Sequence, residues 1–359
     1  MASRVTDALS RRRRPTLATV AATAGVSVAT VSKVLNGRSD VAPTTRARVE
    51  DVLRGYEFPP VARRTQPQPA TTVELMFDRD LHAYSAEVAH GAIDVGEELG
   101  ISIVISIRAD SGGRYRQSSP TEWARELASS GRRALVTVTG SLTAAHVNAL
   151  RAQGIPLVVV DPLHVPHTRI TSVGSTNFSG GLEAGEHLLS LGHTLIGYAG
   201  GPITAACSQA RVAGLRSAVE AAGLTLPEGY VRFGDFVYES GFEDGGALLD
   251  LPRRPTAIFA GSDEMALGVI EAARVRGLRV PEDLSIVGFD DTQLSRMASP
   301  PLTTVRQPLH EMGAVAVRTA LRLAAGETID SHHVELATHL VVRGSTTAPA
   351  PAGSADTGR

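Results

Sequence analysis

The stretch Val26–Gly37, VSVATVSKVLNG, holds the only lysine in 359 residues; every other strongly cationic side chain is an arginine. Ser27 is placed to cap a helix, since its hydroxyl can accept a first-turn backbone N–H. Val28, Val31, Val34 and Leu35 then recur at helical spacing, and Gly37 stops the pattern. Upstream, Thr16 caps a first helix with Leu17, Val20, Ala21 and Ala24 on one stripe, and Gly25 ends it. Downstream, Pro43 opens a third helix with Val52 and Leu53 near its end. Two short helices joined by AGVS read as a helix-turn-helix, whose second helix enters the DNA major groove by its first turns.

The groove admits a helix only where the exposed side chains are small or reach a base edge. Val28, Ala29, Ser32 and Lys33 meet that need, while Val31, Val34 and Leu35 turn inward. Val28 and Ala29 offer apolar contact to thymine methyls, and Lys33 reaches a phosphate or a guanine edge. The hydroxyls of Thr16, Thr30, Ser39 and Thr44 are candidates for phosphate contacts. A small helical cap with a solvated basic face is the plain alternative for the same spacing.

The charge distribution agrees with a nucleic-acid-binding end. Residues 1–64 carry 12 Arg/Lys against 5 Asp/Glu, a balance of +7, and the remainder carries 23 against 32, or −9. With 43% hydrophobic residues the chain is globular. Cys207 is the only cysteine, so no intramolecular disulfide forms. Arg11–Arg14 run into Pro15 with no apolar core of a signal peptide, and no 18-residue apolar run spans a membrane, so a cytoplasmic protein is expected.

Along the chain, residues 1–14 read as a disordered basic arm, 15–58 as the DNA-binding domain and 59–72, rich in Pro, Gln and Arg, as a linker. From Val73 onward short apolar runs alternate with amphipathic helical patterns: strands at 73–77, 101–107, 134–137, 157–160, 195–199, 257–260 and 284–287. This order predicts doubly wound parallel sheets, and seven or more strands over about 270 residues favour two α/β lobes. The lobes are expected at 73–170 with 302–328, and at 171–298 with 332–345. Residues 346–359 read as a disordered tail.

The segment TLATVAATAGVSVATVSKVLNGRSDVAPTTRARVEDVLRGYEF (16–58) strongly resembles the LacI/GalR family of bacterial transcription regulators. Its motif runs T-[LI]-x-x-V-A-x-x-A-G-V-S-x-x-T-V-S-[RK]-V-L-N-G, and nearly every position is present. RITSVGSTNFSGGLEAGEHLLSLGHTLIGYAGG and the stretch from RPTAIFAGSDEMALG to SPPLTTVRQP extend the resemblance over about residues 16–345. It implies an all-α helix-turn-helix domain followed by a two-lobed, periplasmic-binding-protein-like α/β domain with an effector cleft. The DNA-facing set it implies is Thr16, Leu17, Ser27, Val28, Ala29, Thr30, Ser32, Lys33, Asn36, Arg38, Arg63 and Arg64, with Val28 and Ala29 choosing the operator. One departure stands out: the family's hinge leucine, which kinks the operator centre, aligns with Thr65, so Arg63 and Arg64 are expected to act through a narrow groove or phosphates instead.

For the cleft, the resemblance points to Arg211 in SQARVAGL, Phe236 in GDFVYESG and Asp290 in GFDD. Ser262–Asp263 stand where the family commonly has Asn-Asp. Asp78 and Tyr84 follow the first strand and Asp161 the fourth, where open α/β sheets bind ligands. Phe178 is a second candidate aromatic. Asp263 reads first as a helix N-cap and second as a ligand contact, and Tyr84 serves equally as ordinary packing. The set suits a neutral sugar or small oligosaccharide, whose hydroxyls pair with polar groups while an aromatic covers the ring.

The expected function is a repressor controlled by such an effector, acting as a homodimer on pseudo-palindromic operator DNA. A secreted solute-binding protein is the alternative, and the N-terminal helices speak against it. An enzyme finds no support: Asp290–Asp291 lack a nucleophile–base set and AGGPITAAC lacks the lysine of a phosphate loop. No cofactor is expected, and the pairs His164/His167 and His332/His333 lack the spacing of a metal site.

Overall fold

The computed structural model describes residues 16–35, 40–56, 71–78, 81–108, 119–140, 142–163 and 170–350. Two compact units divide between Pro69 and Ala70. Asn36, Arg38, Arg63, Arg64 and Thr65, with the arm and most of the linker, lie outside the described residues.

Among the described residues, the first unit holds three helices: α1 (Leu17–Ala24), α2 (Val28–Leu35) and α3 (Pro43–Gly55). Thr16 accepts the Thr19 N–H at 3.4 Å, and Ser27 accepts the Thr30 N–H at 3.1 Å. Gly25 closes α1 at φ +64°, a left-handed conformation that favours glycine. The chain therefore turns sharply, and α1 and α2 meet at 104°. Val20, Ala21, Ala24, Val31, Val34, Val41 and Val49 form the small core, with Val52 and Leu53 packed against it.

The second unit has two lobes, each built on a six-stranded sheet. The first sheet runs β11-β5-β4-β3-β1-β2, with β1 Thr72–Phe77, β2 Ser102–Ile107, β3 Arg132–Val138, β4 Leu157–Val160, β5 Thr171–Ser175 and β11 His333–Leu336. The second runs β12-β10-β9-β8-β6-β7, with β6 Ile196–Gly200, β7 Val231–Phe233, β8 Ala257–Ala260, β9 Ser285–Asp290, β10 Thr303–Arg306 and β12 His339–Val341. Among the described residues every pairing is parallel except β10 with β12. Central strands such as β8, AIFA, are buried along their whole length, as parallel strands covered on both faces require.

On the first lobe, α4 (Ala83–Leu99) and α12 (Leu309–Ala324) cover one face, and α5 (Pro120–Ser129) and α6 (Ala144–Ala152) the other. The second lobe packs α7 (Asn177–Ser190) and α8 (Ala206–Ala221) on one face of its sheet. On the other face lie α9 (Tyr238–Leu249) and α10 (Asp263–Val275), while the short α11 (Gln293–Met297) follows β9.

The lobe boundaries differ from the sequence reading. Residues 171–175 pair with β4 and belong to the first lobe, whereas 303–306 pair with β9 and belong to the second. The chain thus crosses between lobes after β5, after β10 and after β11. Thr72, assigned to the linker, opens β1. The strands TSVGS, VRF, TTVR, HVEL and HLV escaped notice because they are short and several are rich in Thr, Ser or His rather than in apolar runs.

The tail reading needs correction as well. Thr346 bonds His187 Nε2 at 3.0 Å, and the Thr347 carbonyl accepts from the Ser285 hydroxyl at 2.9 Å. Thr346 and Thr347 are therefore docked on the second lobe by hydrogen bonds, which hydrophobic periodicity does not register.

Candidate functional site

In the first unit, Ser27, Val28, Ala29 and Lys33 are exposed on α2, while Val31 and Val34 are buried. Val28, which spacing alone places on the apolar stripe, is 46% exposed, so α2 presents a valine, an alanine and a lysine on its open face. Thr16 and Leu17 are exposed at the start of α1. Thr30 and Ser32 are half-buried, and the Thr30 hydroxyl lies 2.8 Å from that of Ser27. Lys33 Nζ donates to Asp40 at 2.8 Å, with both side chains about half exposed. A solvated pair of this kind contributes under about 1 kcal/mol and is readily exchanged for another anion.

In the second unit, five of the described non-glycine residues have positive φ: Thr139, Asp161, Asp290 and Asp291 at or just after strand ends, and Phe236 in the loop before α9. Such conformations cost free energy and concentrate where a side chain must be aimed at a ligand. Arg211, on α8, is 3% exposed. Its Nε donates to Asn177 Oδ1 at 2.8 Å, its Nη1 donates to the Gly261 carbonyl, and the same nitrogen stands 3.9 Å from Asp290 Oδ1. The guanidinium lies 3.7 Å from the Phe289 ring centroid and 5.5 Å from that of Phe236.

The helices set this arrangement. Gly181 of α7 faces the Arg211 carbonyl so closely that a Cβ there would stand 2.1 Å from that oxygen. The Phe236 ring is seated against Gly201 in the same way, at 2.2 Å from a Cβ position.

The first lobe contributes Tyr84, whose hydroxyl donates to Asp161 Oδ2 at 2.7 Å. Burial pushes the Asp161 carboxyl up from its ordinary value, with Tyr84 and Arg211 opposing. Burial likewise pushes the Tyr84 phenol and the Asp290 carboxyl well up, the latter opposed chiefly by Arg211. The mutual influence of Asp161 and Arg211 brings groups of both lobes into one electrostatic cluster. Contacts cross beside it, among them the Ala206 N–H to the Leu163 carbonyl at 2.8 Å and the Ala83 N–H to Glu264 at 3.3 Å.

Not every expected residue joins the cluster. Asp263 is fully buried, and its carboxylate accepts from Thr304 at 2.6 Å and from the Thr292 N–H and hydroxyl at 2.7 and 3.0 Å. It braces α10 against β10 and is not the cap. Ser262 is the cap, accepting the Met265 N–H at 3.1 Å and donating to the Phe236 carbonyl at 2.8 Å, so it positions the aromatic. Asp78 is held by Arg108 at 3.0 Å, and Phe178 stands 45% exposed on the first turn of α7.

Asn177 and Gln307 went unread, and Cys207 was read only for disulfide pairing. Asn177 is adjacent to the chosen Phe178, and helical geometry alone decides which of the two reaches Arg211. Cys207 lies one turn before Arg211, with its thiol pushed up to about 11 by burial. Gln307 carries no local motif. Among the described residues no group of three or more His, Cys, Asp or Glu could hold a metal ion, and no single helix is long and apolar enough to cross a membrane.

An aromatic face, buried carboxylates and an arginine already engaged by neighbours can bind hydroxyl groups and cover a ring. Residues 16–60 match the bacterial regulatory proteins of the lacI family, and residues 186–346 the periplasmic binding protein-like domain. The chain is 34% identical to catabolite control protein A of Priestia megaterium over 334 residues, covering 92% of this chain and 99% of that protein. It superposes on a transcriptional regulator CelR–cellobiose complex with TM-score 0.68 at 32% identity, covering 92% of this chain and all of that one. A lac repressor dimer bound to operator and an anti-inducer gives TM-score 0.68 at 29% identity, covering 94% and 100%.

Proposed function

This chain belongs to the lacI family of bacterial regulatory proteins, and we propose that it is a repressor whose operator binding is set by a neutral sugar or small oligosaccharide held between its lobes. The observation that carries the reading is the open face of α2: a capped helix crossing α1 at 104°, with Val28, Ala29 and Lys33 outward and Val31 and Val34 buried. Val28 and Ala29 meet base edges, Lys33 exchanges Asp40 for the operator, and Thr16 and Ser27 approach phosphates.

The effector sits against Phe236 and hydrogen-bonds Asp290, Arg211, Asp161 and Tyr84. The Phe236 face beside buried groups that donate and accept hydrogen bonds suits the ring and hydroxyls of a neutral sugar. Binding changes the angle between the lobes, and with it the spacing at which two copies present α2. Two copies are needed because one α2 reads one half-site. The support for a homodimer lies on β2, an edge strand that leaves Ile105 and Ile107 exposed.

The test is selection of bound sequences from random duplex DNA, followed by binding of the selected site across salt. A two-fold symmetric consensus is expected. Recovery of no consensus, with binding that depends on salt alone, contradicts the reading.

A further inference from the structure

The three chain crossings between the lobes are tied to the cleft by side chains that the proposed ligand contacts do not include. Gln307, the residue after β10, is 3% exposed. Its Nε2 donates to Asp290 Oδ1 at 2.6 Å, and its Oε1 accepts from the hydroxyl of Ser175, the last residue of β5. The Asn177 side-chain N–H donates to the Ser175 carbonyl at 3.0 Å, and Asn177 Oδ1 accepts from Arg211. The loop closes through the 3.9 Å approach of Arg211 to Asp290.

The orientation of each amide is fixed by what it meets. Arg211 can only donate, so Asn177 must turn its oxygen to it, and Gln307 turns its oxygen to the Ser175 hydroxyl and its N–H to Asp290. The ring joins the first crossing (175–177) to the second (307). The third is joined to the first by the Thr338 N–H and Thr176 Oγ1 at 2.9 Å. A buried network of this kind holds one geometry as long as every member is satisfied.

We propose that Gln307 is a positioning residue that couples the Asp290–Arg211 pair to the angle of the interlobe crossings. It reaches no ligand; it holds Asp290 to Ser175, so displacement of the carboxylate at the site pulls on both strands. The inference rests on the cleft reading above, but its test needs neither effector nor operator.

The experiment is native-state hydrogen exchange on the full chain, resolved to the crossing amides (Thr176, Asn177, Leu309, Thr338) and to the β8 core (257–260). Asp290→Asn perturbs the site, and is measured with Gln307 intact and combined with Gln307→Leu. With Gln307 present, Asp290→Asn is expected to raise exchange at the crossings severalfold while β8 stays protected. Combined with Gln307→Leu, that increment disappears, which is the non-additivity expected of residues in one network. Ser175→Ala, a smaller change that also folds if Gln307→Leu does not, should reproduce the loss. A further signature is Gln307→Glu, which can donate to Asp290 only when protonated, so its crossing exchange should approach wild type as pH falls. Additive effects, or equal loosening of β8 and crossings in every variant, overturn the proposal. Absence of operator binding would contradict the regulator reading and leave this result unaffected.

Discussion

Lys33 is the side chain on which the DNA interface can be tested most simply. Its ammonium is a compact charge on a flexible stem, already held by an exposed carboxylate at 2.8 Å. Lys33→Ala is expected to weaken binding to the selected operator and, if the contact is to a phosphate, to flatten the dependence of log K on log salt by about 0.9. Fluorescence anisotropy across potassium chloride concentrations measures both; an unchanged affinity and slope would remove Lys33 from the interface. Asp263 gives a second test. Its folded-state proton affinity is pushed up to about 7 by burial, so the folded chain holds the proton more tightly than the unfolded one. Its contribution to stability is therefore fullest below about pH 4 and is lost as pH rises toward the folded value. The wild-type melting temperature should fall relative to Asp263→Asn across that window and run parallel above it. Parallel curves throughout would contradict the assignment. The two residues also show what a sequence discloses. Lys33 lies in a contiguous motif whose spacing announces its face. Asp263 follows a strand as a ligand would, and only the fold shows Thr292 and Thr304 occupying its carboxylate.

The helices of the second lobe are pressed together where glycines allow it. Gly181→Ala would place a methyl carbon 2.1 Å from the Arg211 carbonyl oxygen. Backbone atoms cannot turn away as side chains can, so α7 and α8 must part, at about 1–3 kcal/mol. The expected fall in melting temperature is about 3–10 °C. Gly229→Ala, where an added methyl meets open space, should stay within about 0.5 kcal/mol. A negligible effect of Gly181→Ala would mean that the helices can separate freely. Element identity was legible wherever burial writes itself as apolar residues, as in α4 or β8. It was illegible in β5 and β10, where Thr171, Ser172, Thr303 and Thr304 are buried through hydrogen bonds. Those two strands adjoin the first two lobe crossings, which is why the lobe boundaries were misplaced.

At the scale of the molecule, the first unit and the lobed unit are separately compact, so damage to the cleft need not unfold the DNA-binding helices. The edge of β2 is the place to test association. Ile105→Arg combined with Ile107→Arg puts two charges on an exposed apolar edge and is expected to convert a dimer to monomer in analytical ultracentrifugation. A dimer unaffected by both changes would move the interface elsewhere. The cleft was partly visible from the sequence, because Arg211 and Asp290 sit in recognisable blocks. Asn177 and Gln307 were not, because their partners are 34 and 17 residues away and only the crossings bring them together. The central claim is that one ligand in this cleft controls one helix on DNA. The most direct measurement is operator affinity, by anisotropy, with and without the neutral sugar that raises the melting temperature most in a screen of pentoses, hexoses and disaccharides. The account predicts that this sugar shifts the wild-type operator affinity at least about tenfold, within the usual range of allosteric coupling, and leaves Asp290→Asn unmoved. A sugar that stabilises the wild type yet leaves its operator affinity unchanged would contradict it.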